Sequence, residues 1–588
     1  MSLHAPELDR ARAWIERDPD PETRAELQAL IDTAESGGDE ASAAAADLHE
    51  RFSWRLEFGT AGIRGVLGAG PMRMNQLLVR QVSAGLTRYL TAQVEGAAAR
   101  GIVIGHDARH KSRQFALEAA AVFLGAGFKV YLADHPWPTP TTAWAVRAHA
   151  AAAGVMVTAS HNPPEYNGYK VYWGNGAQII PPHDVGIAAA IDDVDTAHVH
   201  LGDVAEAGER LVRLGAADEE AYLTAVLELQ VARAVPRTVR IAYTPLHGVG
   251  AELVERALHR GGFADVATEP SQREPDGAFP TVAFPNPEEK GAMDRVLALA
   301  RDFKADLVLA NDPDADRLAV ALPDASVAAG YRMLTGDQVG FLLADYLLRH
   351  AGDGPRLVAC SLVSSQLLRF LAAAYGADSR ETLTGFKWIA NVAIDWKAQT
   401  GGRFVMGYEE ALGDTVGELV ADKDGVSAAL LFAELTAWDR ARGKTVAEHL
   451  DDIYRRVGLF VTEQVSFTAQ GATGLASIKR AMASFRAAPP RELAGFDVGD
   501  VADLATGEGG LPPADVLIFK LAEGRRVIMR PSGTEPKLKS YYEVRTVVGD
   551  GEDMATARAR GLAELAVIRD VHQAALKAAL AEPEAAAH

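Results

Sequence analysis

The sequence predicts a large α/β protein of several domains built on mostly parallel sheets, and three observations carry that prediction. The chain has 588 residues, which at roughly 150 residues per domain means about four domains or fewer. From residue 100 onward, short apolar runs alternate with longer helical patterns, the mark of βαβ units. Four of the apolar runs end directly in loops of polar, reactive or glycine residues, where open α/β sheets bind ligands.

Taken in order, residues 7–36 read as helix, with Leu8, Ala11, Trp14 and Ile15 at helical spacing. Asp18-Pro19-Asp20-Pro21 breaks that helix, and Pro21 is a fair start for the next. Residues 37–46 are expected to form a loop entering another short helix. Strands follow at 102–105 and 129–132 around a helix at 115–126, and a helical stretch at 218–231 precedes a fresh strand at 239–243. Further strands are expected at 307–310 and 357–359. A helix at 446–457 closes one unit and a strand at 460–465 opens the last, whose tail from 574 reads as a fraying helix. Breaks between domains are expected near 210–235 and 345–355. No short repeat of fixed period occurs, so a solenoid is excluded.

Composition sets further bounds. The hydrophobic fraction is 48% and the charged fraction 23%, ordinary values that leave ample material for several cores. No run of about 18 apolar residues is present, and the opening ten residues lack a basic stretch followed by an apolar one, which excludes a membrane span and a secretory signal. One cysteine, Cys360, allows neither an internal disulfide nor a cysteine zinc site. A reduced, cytoplasmic setting is expected. Lys and Arg number 59 against 79 Asp and Glu, a net charge of −20. Nucleic acid would be repelled by that field, whereas a small phosphorylated substrate needs only a local cluster of Lys and Arg.

The four strand-end loops differ in chemistry. Asp312-Pro313-Asp314-Ala315-Asp316-Arg317 sets three carboxylates at alternate positions, hard oxygen donors that can converge on Mg²⁺ when the loop folds back. A calcium-binding EF-hand is disfavoured, because Arg317 stands at its glycine position and Pro323 at its glutamate position. Arg530-Pro531-Ser532-Gly533-Thr534-Glu535-Pro536-Lys537 has the groups of a phosphate clamp and equally those of a Pro/Gly turn. Thr158-Ala159-Ser160-His161-Asn162-Pro163 puts a serine beside a histidine at a strand end. In strand-like backbone the two side chains would point oppositely, so a Ser–His relay is not expected. A serine that carries phosphate needs only a metal and cations nearby, so that role and a turn role both stay open. The fourth loop, Gly407-Tyr408-Glu409-Glu410, follows 403–406. Away from these, Leu56-Glu57-Phe58-Gly59-Thr60-Ala61-Gly62-Ile63-Arg64-Gly65 alone reads as a tight turn with a surface arginine.

Together these motifs, with Thr384-Gly385-Phe386-Lys387, resemble in order those of the α-D-phosphohexomutase superfamily, and within it the phosphoglucomutase/phosphomannomutase branch that includes phosphopentomutases. The match runs from about Trp14 to about Val544. The resemblance implies four domains around a central cleft, three related α/β domains and a C-terminal α+β domain, set at 1–220 (phosphoserine loop), 221–348 (metal loop), 349–458 (sugar loop) and 459–588 (phosphate loop). It implies that Ser160 is the phosphoserine, that Asp312, Asp314 and Asp316 hold Mg²⁺ together with a phosphate oxygen on Ser160, and that Arg317 approaches substrate. Thr384, Gly385 and Lys387 would line the specificity loop, Glu409 would bind sugar hydroxyls, and Lys423 matches the lysine after that loop. Arg530, Ser532, Gly533 and Thr534 would grip the distal phosphate. Arg64 and Lys170 match basic residues beside the serine, and Lys170 and His161 are candidates for proton transfer.

The implied activity is interconversion of glucose 1-phosphate and glucose 6-phosphate through glucose 1,6-bisphosphate, which also serves as activator. Ala411 stands where many hexose enzymes of the family have serine, and similar Glu-Glu-Ala loops occur in the branch with phosphopentomutase. Phosphopentomutase, phosphomannomutase and glucose 1,6-bisphosphate synthase are therefore alternatives, and an inactive sugar-phosphate sensor is the non-enzyme one. Partners are small sugar phosphates, on a monomer or homodimer, with no nucleic acid and no membrane.

Overall fold

The computed structural model describes residues 5–36, 38–468, 471–507, 510–532 and 537–581. Two compact units emerge. One contains Met1–Val339 and Leu412–Gly443, the other Gly340–Ala411 and Lys444–His588.

The first unit opens with helices Ala5–Arg17, Pro21–Ser36 and Asp39–Ser53. Pro21 takes the first helical position, where a missing N–H costs nothing. Asp18 ties the break together by accepting from Thr23 Oγ1 at 2.7 Å. The expected loop at 37–46 is instead mostly helix: from Asp39 the chain is helical for 15 residues. Its alanine run has high helix propensity although little apolar bulk to signal a face. Ala44, Leu48 and Phe52 pack with Trp14, Leu27 and Ile31 into a core of their own.

The first sheet has the order Ile63–Val66, Tyr166–Trp173, Ala153–Val157, Ile102–His106, Val130–Ala133, Leu211–Leu214. Its last four strands run parallel, while Tyr166–Trp173 is antiparallel to both neighbours. Helices Gln76–Gln93 and Ser112–Gly125 cover one face, with Leu78, Val82, Phe115 and Phe123 buried on Ile102, Ile104 and Val155. The second sheet runs Tyr331–Met333, Ala319–Pro323, Leu307–Ala310, Ile241–Thr244, Val266–Thr268, parallel across its last three strands. Both sheets therefore send a parallel strand, fully buried, straight into a polar loop: Ala153–Val157 into the serine loop and Leu307–Ala310 into the aspartate loop. Helix Gly425–Ala441, almost wholly buried, belongs to this unit.

In the second unit, Arg356–Ser361 lies between Asp378–Thr382 and Arg403–Glu409, all parallel. The C-terminal part is an antiparallel sheet in the order Leu459–Thr468, Lys537–Thr546, Arg526–Pro531, Leu517–Leu521, Phe496–Asp503, Glu492–Leu493. The helices Gly471–Ala487 and Met554–Ala581 pack on each other and against this sheet. Among the described residues, no helix is long and apolar enough to cross a membrane.

Candidate active site

The serine loop departs from strand geometry at one residue. Ser160 has φ 53°, in the left-handed region that L side chains rarely adopt. Its N–H donates to Thr158 Oγ1 at 2.8 Å. This turn corrects the expectation that Ser160 and His161 point apart: Ser160 Oγ lies 3.2 Å from His161 Nδ1. Extended backbone would have separated them; the left-handed residue brings them to the same side. Arg64, on the neighbouring edge strand, is exposed, and it donates to Asn162 Oδ1 at 2.8 Å, so this surface arginine is tied to the serine loop. The close approach of that strand requires glycine at 62, where a Cβ would lie 2.0 Å from the Tyr169 carbonyl oxygen.

The aspartate loop is folded back on itself. Asn311 accepts from Tyr243 Oη at 2.8 Å and donates to the Arg317 carbonyl at 2.6 Å, while Arg317 N–H donates to Asp312 Oδ1 at 3.1 Å. Backbone from two other segments is packed on it. A Cβ on Gly248 would lie 2.4 Å from Pro313 Cα, and one on Gly425 would lie 2.4 Å from the Arg317 carbonyl oxygen.

The two loops meet. Ser160 Oγ donates to Asp312 Oδ2 at 3.0 Å. Lys170 Nζ lies 2.8 Å from Asp314 Oδ2 and 3.0 Å from Asp316 Oδ2, and Lys423 Nζ lies 3.2 Å from the same Asp316 oxygen. Thr139 Oγ1 donates to Asp314 Oδ2 at 2.7 Å. Arg317 Nε stands 3.8 Å from Asp312 and 4.0 Å from Asp316. Ser160 and all three aspartates are buried.

Electrostatics follow from this crowding. Burial, then Asp314 and Asp316, push the Asp312 carboxyl well above the usual range. Burial also acts to raise Asp316, but Lys170, Lys423 and Arg317 outweigh it and hold the carboxyl below its ordinary value. For Lys170 burial works against the ammonium, and Asp314 and Asp316 overcome it, so the net shift is upward. His161 goes well down, through burial first and then Arg317 and Arg64, and is neutral at pH 7.

The donor set fits a hard divalent cation. One oxygen each from Asp312, Asp314 and Asp316 can be chosen so that all three lie within 4.8 Å of one another. Asp314 Oδ1 and Asp316 Oδ1 are buried without a hydrogen-bond partner among the described residues. Buried oxygens of this kind lose a large solvation energy unless a cation or donor reaches them.

The second unit carries the other residues singled out from the sequence. The strand Arg403–Glu409 runs further than expected and ends on Glu409 itself, which accepts from Gly385 N–H at 2.7 Å. The specificity segment Thr384–Lys387 and Glu409 are thus joined. Glu410 is fixed by Ser361 Oγ at 3.0 Å and Ser364 Oγ at 3.3 Å. Strand Arg526–Pro531 also runs on, through Arg530. Burial raises the Tyr541 phenol, to which Arg530 is hydrogen-bonded. Ser532 N–H donates to the Lys537 carbonyl at 2.8 Å, and Gly533 and Thr534 lie outside the described residues.

Several residues of the first unit had no sequence signal. Thr139 sits between two prolines, and the sequence assigns Asp422 no role; Asp422 Oδ2 accepts from Tyr172 Oη and Gln178 Nε2, both at 2.8 Å, while its Oδ1 lies 3.2 Å from Lys423 Nζ. Arg109 Nη2 donates to the Ser160 carbonyl at 2.6 Å. Only tertiary structure brings these groups to the loops.

Comparisons with known proteins cover nearly the whole chain. Family models described as phosphoglucomutase/phosphomannomutase, alpha/beta/alpha domains I, II and III match residues 55–198, 220–325 and 335–457, and the C-terminal domain of the same family matches 475–550. A Haemophilus influenzae protein named "Probable phosphomannomutase" is 41% identical over 81% of this chain and 93% of its own. Mouse phosphopentomutase is 36% identical over 93% of this chain and 91% of its own. Staphylococcus epidermidis phosphoglucomutase is 36% identical over 85% and 92%. A crystal structure of a phosphoglucomutase/phosphomannomutase family protein from Burkholderia thailandensis shares the fold, with TM-score 0.65 at 18% identity, covering 90% of this chain and 98% of that one.

Proposed function

Because the chain belongs to the α-D-phosphohexomutase superfamily and is an isomerase acting by intramolecular phosphoryl transfer, we propose that it moves the phosphate between C1 and the terminal hydroxyl of an aldose through a phosphoserine at Ser160, with glucose 1-phosphate and glucose 6-phosphate as its pair. The observation that carries this reading is the 3.0 Å contact between Ser160 Oγ and Asp312 inside a set of three aspartates and two lysines.

In this reading Asp312, Asp314 and Asp316 would hold Mg²⁺ beside Ser160. Bound there, the ion would supply Lewis-acid stabilisation of the charge on the transferring group. The phosphorus–Oγ bond breaks as a new phosphorus–oxygen bond forms to the sugar hydroxyl. The sugar hydroxyl's proton passes to His161, which is neutral and has Nδ1 3.2 Å from Ser160 Oγ, and a proton passes from the imidazole to Oγ as the phosphorus–Oγ bond breaks, so His161 ends neutral. Lys170, held as an ammonium, is the alternative proton donor to Oγ and otherwise a charge partner, and Arg64, Arg317 and Lys423 add positive charge for the phosphates. Reorientation of glucose 1,6-bisphosphate and transfer of its other phosphate back to Ser160 complete the cycle. Glu409 offers an oxygen to sugar hydroxyls, Thr384, Gly385 and Lys387 flank it, and Arg530, Ser532, Gly533 and Thr534 receive the phosphate that is not reacting. A cytoplasmic setting, with buried Cys360 kept reduced, is part of the reading.

A pentose phosphate is the second reading. It is favoured by Ala411 in the sugar loop and by the mouse phosphopentomutase alignment over 93% of the chain. The test is kcat/KM for glucose 1-phosphate, mannose 1-phosphate and ribose 1-phosphate, with Mg²⁺ and trace sugar bisphosphate. Preference for glucose supports the first reading, preference for ribose supports the second, and no turnover on any of them overturns both.

A further inference from the structure

Ser160 holds a backbone conformation that most residues avoid, and something must over-determine it. The Thr158 cap accounts for a single N–H. The carbonyls of the loop converge instead on one side chain. Arg109 Nη2 donates to the Ser160 carbonyl at 2.6 Å and to the Asn162 carbonyl. Its Nη1 donates to Pro163 at 2.8 Å and to Tyr166 at 3.3 Å. Arg109 is 4% exposed. Asp107 faces Nε at 3.4 Å and accepts from the Arg109 N–H at 3.0 Å and from Ser112 Oγ at 2.6 Å.

The guanidinium is covered from the second sheet's domain. Its Cζ stands 4.9 Å from the centre of the Phe279 ring, which is buried and itself left-handed at φ 47°. The approach of that segment demands glycine at 277, where a Cβ would lie 2.8 Å from both the Ala108 carbonyl oxygen and the His110 nitrogen.

Resting on the reading of Ser160 as phosphoryl carrier, we propose that Arg109 is the positioning residue that fixes the reactive serine, and that Phe279 fixes Arg109, so that docking of the second α/β domain sets the serine's geometry. Neither side chain need touch substrate. A bidentate fork aimed at several carbonyls is a task for arginine that lysine cannot reproduce.

The test uses full-length Arg109→Lys, Arg109→Ala and Phe279→Leu, with Ser160→Ala as control. Three quantities are read: kcat and KM separately, hydrogen exchange over residues 158–166, and rescue of Arg109→Ala by added guanidinium. The expected results are a kcat drop of about 100-fold in Arg109→Lys and about 10-fold in Phe279→Leu with KM within about 3-fold, conversions of about 3 and 1.4 kcal/mol at the transition state. Faster exchange confined to the serine loop should accompany them, with partial rescue by guanidinium. Wild-type kcat and unchanged loop exchange in Arg109→Lys and Phe279→Leu would overturn the proposal. If the arginine variants fail to fold, Phe279→Leu decides by the same two readings. A wild-type enzyme without turnover, whose Phe279→Leu loop still exchanges faster, would overturn the phosphoserine reading and leave the clamp standing.

Discussion

At the scale of single residues, function comes from a few side chains crowded until each fixes the others' charge. Thr139 illustrates this. Its hydroxyl donates to Asp314 Oδ2, the same oxygen that receives Lys170, leaving Asp314 Oδ1 for another partner. Thr139→Val removes one hydrogen bond to a charged group, worth about 1.5–3 kcal/mol. Part of that should appear as weaker Mg²⁺ activation, with the half-saturating concentration rising about 10-fold and kcat at saturating metal nearly unchanged. A Mg²⁺ titration of initial rates checks it. Equal loss at all metal concentrations would mean that Thr139 acts on structure alone. The three aspartates were legible in the sequence because carboxylates at alternate positions are costly without a cation. Thr139 and Arg109 were not, since each lies far along the chain from the group it serves, nor was Asp422, whose partners Tyr172 and Gln178 are likewise distant in sequence.

At the scale of elements, two devices stand out. The first is the N-terminus of helix Gly425–Ala441, whose Gly425 is wedged against the aspartate loop and donates to the Ala315 carbonyl at 3.2 Å. A Cβ there would meet backbone at 2.4 Å, so Gly425→Ala must shift the loop. Activity is expected to fall about 100-fold, with the melting temperature lowered by only a few degrees. The second is the C-terminal helix, which brings His572 into the last core. His572 is fully buried, its Nδ1 shares a hydrogen bond with Tyr542 at 2.7 Å, its Nε2 has no hydrogen-bond partner among the described residues, and burial pushes its pKa down to about 4. A histidine depressed from 6.5 binds its proton more readily when unfolded. Its contribution is therefore fully present above pH 6.5 and is lost as pH falls toward 4, by about 3 kcal/mol in all. His572→Phe should remove this part of the acid sensitivity, measured as a flatter dependence of urea midpoint on pH between 4 and 6.5. Tyr542 keeps Gln573 as a partner in that variant. The positions of helices and strands along the chain were mostly readable from periodicity, whereas the order of strands within each sheet was not. The misread stretch at 39–46 is alanine-rich, and its buried residues, Ala41, Ala44 and Ala45, lack the bulk that a pattern needs. The strands ending on Glu409 and Pro531 ran longer than expected because polar or proline residues at a strand end look like loop in one dimension.

At the scale of the molecule, an acidic chain of net charge −20 gathers Arg64, Arg109, Lys170, Arg317 and Lys423 around one serine and three aspartates. The family was legible because six motifs fall in order along nearly the whole length, and the family models follow the same order. Substrate choice was not, because it depends on how Glu409 and its neighbours present oxygens to a ring. That arrangement depends on Gly385, Ser361 and Ser364, which pin the loop from elsewhere in the domain. Whether Ser160 carries the phosphoryl group is read by mass spectrometry of the protein after brief exposure to glucose 1,6-bisphosphate and Mg²⁺, followed by a chase with glucose 1-phosphate. One phosphoryl group is expected, mapped to Ser160, that leaves with the chase and never forms in Ser160→Ala. Phosphate on another residue, or full turnover in Ser160→Ala, would contradict the phosphoserine role.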